Sequence, residues 1–121
     1  MPRPILDEAH IHTAVREVIA GQHASTLREV QDAAAQHPVV VVGMRQNPFP
    51  RKARKALDAA GIAYHYLEYG SYFSHWQPRL ALKMWSGWPT LPMVFVKCTL
   101  VGGAADLTRL IGSGELKRML A

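Results

Sequence analysis

The stretch Trp88 to Gly103, WPTLPMVFVKCTLVGG, decides how the rest of the chain is read. Pro89 and Pro92 cannot donate to a sheet ladder, so a strand begins at Pro92 and cannot run through both as central residues. Met93-Val94-Phe95-Val96 is a continuous apolar run. Lys97-Cys98 is short and polar enough for a two-residue turn, although it lacks the glycine or asparagine that tight hairpins favour. Thr99-Leu100-Val101 returns, and Gly102-Gly103 stops the strand. The stretch is therefore a buried hairpin with prolines and glycines gathered at one edge. Such an edge is either a place where backbone meets a ligand or ordinary turn punctuation.

Working outward, Ala104–Ile111 reads as a helix, then Ser113 caps a terminal helix to Leu120. Upstream, Val39 to Val42 is a run of valines, the signature of a strand buried on both faces. Gly43 to Gln46 is a loop. Asn47 is placed to cap a helix, with Pro48 and Pro50 in the first turn where a missing N–H costs little. Ala53, Ala56, Leu57 and Ala60 form its core face, and Gly61 is its C′ residue. Ile62–Glu68 is a second strand, which completes a βαβ unit. Gly70–Phe73 is a loop. His75–Trp85 is a helix with Trp76, Leu80, Leu82 and Trp85 as apolar candidates, and Gly87 ends it.

Before the first strand lie two more helices. Residues 1–6 are an arm. Asp7 or Thr13 starts a helix to Gly21, with Ile11, Val15, Val18 and Ile19 on one face. Ser25 or Thr26 caps the next, and Thr26 to Glu29 has capping-box spacing. Leu27, Val30, Ala33 and Ala34 stripe it, and His37-Pro38 ends it. The order predicts an α/β protein: a four-stranded mixed sheet covered by helices on both faces, with an extra N-terminal helix. Residues 1–24 form the arm and extra helix, and 25–121 the main domain.

The length of 121 residues fits one domain, and 49% hydrophobic residues suffice for a core. No run approaches the roughly 20 apolar residues of a membrane span. MPRPILDEAH has no apolar segment of the kind a secretory leader needs. The single cysteine excludes an internal disulfide and fits a reducing compartment. The net charge of +5 is local, because no acid stands between Asp32 and Asp58, where Arg45, Arg51, Lys52, Arg54 and Lys55 cluster. That cluster is either an anion site at a helix start or a solvated helix face. His10-x-His12 spaces a metal pair only on a strand and has no third ligand, so no metal is expected. Tyr64, Tyr66, Tyr69, Tyr72, Phe73 and Trp76 fit packing better than stacking on a ligand or base.

The element order and the segments VVVV, NPFPRK, GWPTLP, VGG followed by an acid, and SGELKRML together resemble the glutaredoxin family of the thioredoxin fold, from about Leu27 to Leu120. NPFPRK is similar to the CGFS-R-K of monothiol members, although the loop insertion of many of them is missing. The resemblance puts the family's nucleophilic cysteine at Asn47 and its second position at Pro50. An amide is not a redox group, so thiol–disulfide exchange and a protein thiolate for an iron–sulfur cluster are not expected. The helix-start field that activates a thiol activates nothing in asparagine. Cys98, six residues along the strand from Pro92, is roughly 20 Å away and is read as a turn residue.

What the resemblance still implies is a glutathione frame. Leu91, with Thr90 and a cis Pro92 beside it, would pair by backbone with the tripeptide. Arg79 would meet its glycine carboxylate. The family's lysine ahead of the active site maps to Met44, with Arg45 adjacent. Gly103, Ala104, Ala105 and Asp106 would hold the γ-glutamyl end. With Phe49, the implied ligand set is Arg45, Phe49, Arg79, Thr90, Leu91, Pro92, Gly103, Ala104 and Asp106. Two functions follow: a cytoplasmic protein without the catalytic thiol that binds glutathione, another small anion or a glutathionylated partner, or an interaction module whose extra N-terminal helix or basic face docks a protein or, less expected, nucleic acid; membrane is not expected.

Overall fold

The computed structural model describes residues 3–21, 24–44, 48–69 and 76–121. The expectations for Arg45, Asn47, the loop at 70–73 and the side chain of Trp76 lie outside the described residues. The elements are α1 (Thr13–Gly21), α2 (Ala24–Gln36), β1 (Val39–Gly43), α3 (Pro48–Ala59), β2 (His65–Glu68), α4 (Trp76–Ser86), β3 (Met93–Val96), β4 (Thr99–Gly102), α5 (Ala104–Gly112) and α6 (Glu115–Leu120).

The sheet is four-stranded and mixed, in the order β2-β1-β3-β4. β1 runs parallel to β2 and antiparallel to β3, and β3 pairs antiparallel with β4. Alternate strand residues point to opposite faces. Val40, Val42, Met93 and Phe95 therefore join Val30 and Ala33 of α2 and Leu82 of α4 in one core layer. Val39, Val41, Val94 and Val96 join Ala53 and Leu57 of α3, Leu107 of α5 and Leu116 of α6 in the other. Helices cover both faces, as the unbroken valine run requires.

The hairpin turn falls at Lys97-Cys98, and both residues have positive φ, 47° and 67°. A two-residue hairpin loop demands that geometry whatever the residues are. The Lys97 N–H donates to the Pro38 carbonyl at 2.8 Å, which ties the turn to the start of β1. β4 carries a bulge, since Val94 faces Gly102 while Phe95 faces Leu100.

Several boundaries differ from the sequence reading. β2 begins at His65 rather than Ile62, because α3 ends in a Schellman closure. Gly61 N–H donates to Asp58 O and Ile62 N–H to Leu57 O, so residues 60–62 belong to the helix end. α2 starts at Ala24, so Ser25 and Thr26 lie within its first turn and do not cap it. Glu29 does not close a capping box; its carboxylate accepts the Tyr69 hydroxyl instead. α6 is capped by Gly114, with φ 77°, while Ser113 closes α5. Among the described side chains of α4, Leu82 and Arg79 are buried, whereas Leu80 and Trp85 are exposed.

Asp7 caps a short 3-10 turn (Glu8–His10), and α1 begins after it at Thr13. Its apolar stripe buries nothing: Val15, Val18 and Ile19 are exposed. The arm before it touches α4, with Arg3 Nη1 donating to the Ser86 carbonyl at 3.0 Å. Among the described residues, no helix is long and apolar enough to cross a membrane.

Candidate functional site

The site is built where three chain ends converge. β1 delivers Gly43 and Met44 beneath the first turn of α3. Gly43 must be small there, since an added Cβ would lie 2.8 Å from both the Pro50 Cβ and the Tyr66 hydroxyl. The segment between α4 and β3 runs through Trp88 to a cis Leu91–Pro92 peptide. β4 ends at Gly102, and α5 starts at once. Between these lies a cavity of about 590 Å³.

Its walls contain nearly the whole ligand set expected from the sequence: Phe49, Arg79, Thr90, Leu91, Pro92, Gly103, Ala104 and Asp106. Ala105 and Met44 also line it. Arg45 is outside the described residues. Pro50, the second of the two positions that carry the family's redox chemistry, is buried in the first turn of α3 and does not line the cavity.

Lys83, Trp88 and Pro89 line the cavity as well and were missed by sequence reasoning. A signal for Lys83 existed. Arg79 and Lys83 stand four apart on α4, so they share one face of the helix. Trp88 and Pro89 belong to the GWPTLP segment, and only the fold turns them into a wall.

Arg79 is 8% exposed, and it is the charged side chain buried among the described residues. Its Nη1 lies against the Met44 sulfur. A cation withdrawn from bulk water acts on an approaching anion more strongly than a solvated one. Among the described residues, the cavity's cations, Arg79 and Lys83, come from α4. In the basic run of α3, Arg51 and Lys52 are exposed and do not line the cavity, as a solvated helix face requires. Lys52 Nζ lies 5.3 Å from the Phe49 ring centroid, and the Arg54 guanidinium lies over the Tyr66 ring at 4.2 Å.

The acid in the cavity is already committed. Asp106 Oδ2 accepts from the Gly103 N–H at 3.0 Å, and Oδ1 pairs with Arg109 at 2.8 Å. Asp106 thus fixes the first turn of α5, whose early N–H groups have no intrahelical acceptor. The positive end of that helix dipole borders the cavity.

No described residue of the lining carries a thiol, hydroxyl-base pair or imidazole. Charge, backbone donors and apolar wall equip the cavity to hold a small anion. Cys98 stands at the far end of β3 from Pro92, exposed, with its Sγ 3.2 Å from the Ala34 carbonyl. His12 Nδ1 accepts from the Ala14 N–H at 3.2 Å.

No family model matches the chain. A glutaredoxin-like protein of Dictyostelium discoideum is 43% identical over 102 residues, covering 84% of this chain and 83% of that protein. A probable monothiol glutaredoxin of Legionella pneumophila is 31% identical over 77 residues, 64% of this chain and 83% of the other. Among solved structures, a buckwheat glutaredoxin–glutathione complex superposes with a TM-score of 0.68 at 24% identity, covering 82% of this chain and 90% of that one; this likeness is one of fold. A relative matched along most of both chains, together with the sheet order and the cavity above, settles the kinship: this chain belongs to the glutaredoxin family, beside its monothiol-related members.

Proposed function

We propose that this protein binds glutathione, or the glutathionyl or acidic portion of a partner, in the cavity between α3, α4 and α5, and that it runs no thiol–disulfide exchange. The observation that carries the reading is the composition of that cavity. Two cations one helical turn apart, Arg79 and Lys83, stand with Leu91, Pro92 and the start of α5 around one space. The buckwheat neighbour was solved with glutathione, so this fold can present a surface to that tripeptide.

The absence of exchange chemistry is argued from the chain itself. Its one cysteine is Cys98, and position 47, where the family resemblance puts the nucleophile, is asparagine. Asp106 is held as a helix cap and is not poised to move protons. Binding in a reducing cytoplasm, without turnover, is the activity that remains.

The test is a titration of reduced glutathione at low salt, followed by amide shifts. Shifts clustered on Leu91, Gly103 and Ala104, with weak affinity on the order of millimolar, about 4 kcal/mol, are expected. No movement at several millimolar would overturn the reading. The second reading, a protein-interaction module, would then lead; it is favoured by the exposed apolar stripe of α1 and by Phe49, which is 53% exposed at the cavity.

A further inference from the structure

Helix α1 is held at its start by a histidine. His12 Nδ1 accepts the Ala14 N–H at 3.2 Å, while the His12 carbonyl accepts the N–H groups of Val15 and Arg16 at 2.9 Å each. That is the geometry of an N-cap: the side chain takes a donor two residues on, and the carbonyl opens the helical ladder. An imidazole nitrogen accepts only when it carries no proton, so the neutral ring must hold its hydrogen on Nε2.

Little else secures this helix. None of its side chains is buried. Its nine residues fall short of the length at which an isolated helix persists in water. Within the first turn, Arg16 Nη2 donates to Thr13 Oγ1 at 3.1 Å, an exposed contact of small worth. The cap therefore has an outsized share in deciding whether residues 13–21 are helical.

We propose that His12 is a proton-operated cap: α1 forms when the ring is neutral and unravels when it is protonated. Protonation converts Nδ1 from acceptor to donor, so it opposes the Ala14 N–H. It also puts a positive charge at the positive end of the helix dipole. Both effects act in one direction. The helical state requires the neutral ring, so helix is present on the alkaline side and lost as the ring gains its proton.

Among the described residues, the charged and titratable groups nearest in sequence are those of the 3-10 turn and of α1 itself. Asp7 is engaged by the Ala9 N–H at 2.9 Å. His10, Glu8, Glu17 and Arg16 stand within five residues of His12 on these two elements. The consequence is that Val15, Val18 and Ile19 are displayed as a single apolar face only above the transition.

The experiment follows the Cα chemical shifts of residues 13–21 in the full chain from pH 8 to pH 5, with the ring nitrogen shifts of His12 read in parallel. Loss of helical shifts is expected to track protonation of His12, with about a fivefold fall in the helix-to-coil ratio, the usual effect of losing a cap. His12→Asn, a cap that does not titrate, should keep helical shifts at both pH values. His12→Ala should show the reduced helicity at both. Helical shifts in the wild type that do not change with pH would overturn the proposal. A transition of equal size in His12→Asn would overturn it too, because another group would then be responsible.

Discussion

The Asp106 carboxylate accepts the Gly103 N–H at 3.0 Å, three residues back along the chain, and so fixes the corner where β4 becomes α5. Asp106→Ala removes that acceptor and the pairing with Arg109. The expected cost is about 1 kcal/mol in urea unfolding, since a lost helix cap costs that much. Asp106→Asn keeps an oxygen for Gly103 and should lose less.

Gly102 is the other half of that corner. Its φ is 113°, and an added Cβ would lie 2.5 Å from the Asp106 Oδ2. Gly102→Ala should destabilise the protein by more than about 1 kcal/mol, because the backbone there suits glycine and the carboxylate cannot yield without breaking its cap. The unfolding midpoint in urea reports it, and an unchanged midpoint would show that the corner is looser than described.

Arg79→Ala should weaken glutathione binding more than Lys83→Ala does. Arg79 is buried and can meet a carboxylate with parallel bonds, whereas Lys83 is a more solvated point charge. A several-fold loss is expected for Arg79→Ala, and a smaller loss, more sensitive to salt, for Lys83→Ala. Titrations at two ionic strengths separate the two contributions.

Glutathione-dependent reduction of a small disulfide should be absent. Position 47 is an asparagine, and Cys98 lies at the opposite end of β3 from Pro92. Turnover that persisted in Cys98→Ser would refute this, since that variant holds no thiol.

Burial first, and then the hydrogen bond to and charge of Glu29, push the Tyr69 phenol well above its usual range. The folded state therefore holds this proton more tightly than the unfolded chain. The stabilisation is fully present below the ordinary tyrosine value near 10 and is lost as pH rises beyond it. Tyr69→Phe should flatten the alkaline end of the stability curve. At neutral pH it should cost about 1 kcal/mol, because the Glu29 carboxylate loses a donor. Thermal unfolding from pH 7 to pH 11 shows both.

By itself the sequence determined the sheet. The valine run and the apolar Met93–Val96 segment admit no solvated face, so a sheet covered on both sides follows from the residues alone. The prolines, Gly61 and the Gly102-Gly103 pair punctuate the chain by backbone sterics, which are local and readable. The resemblance to the glutaredoxin family points to Arg79, Leu91, Pro92 and Gly103, and they share one cavity. What only the tertiary structure decided are choices between partners distant in sequence. Glu29 could close a local box or meet Tyr69, forty residues on, and it meets Tyr69. The basic run of α3 and the pair on α4 look alike in sequence, yet only α4 turns its cations into the cavity. The stripe of α1 has the period of a core helix, but among the described residues it stays unburied, because both faces of the sheet are already occupied by α2 and α4 on one side and α3, α5 and α6 on the other.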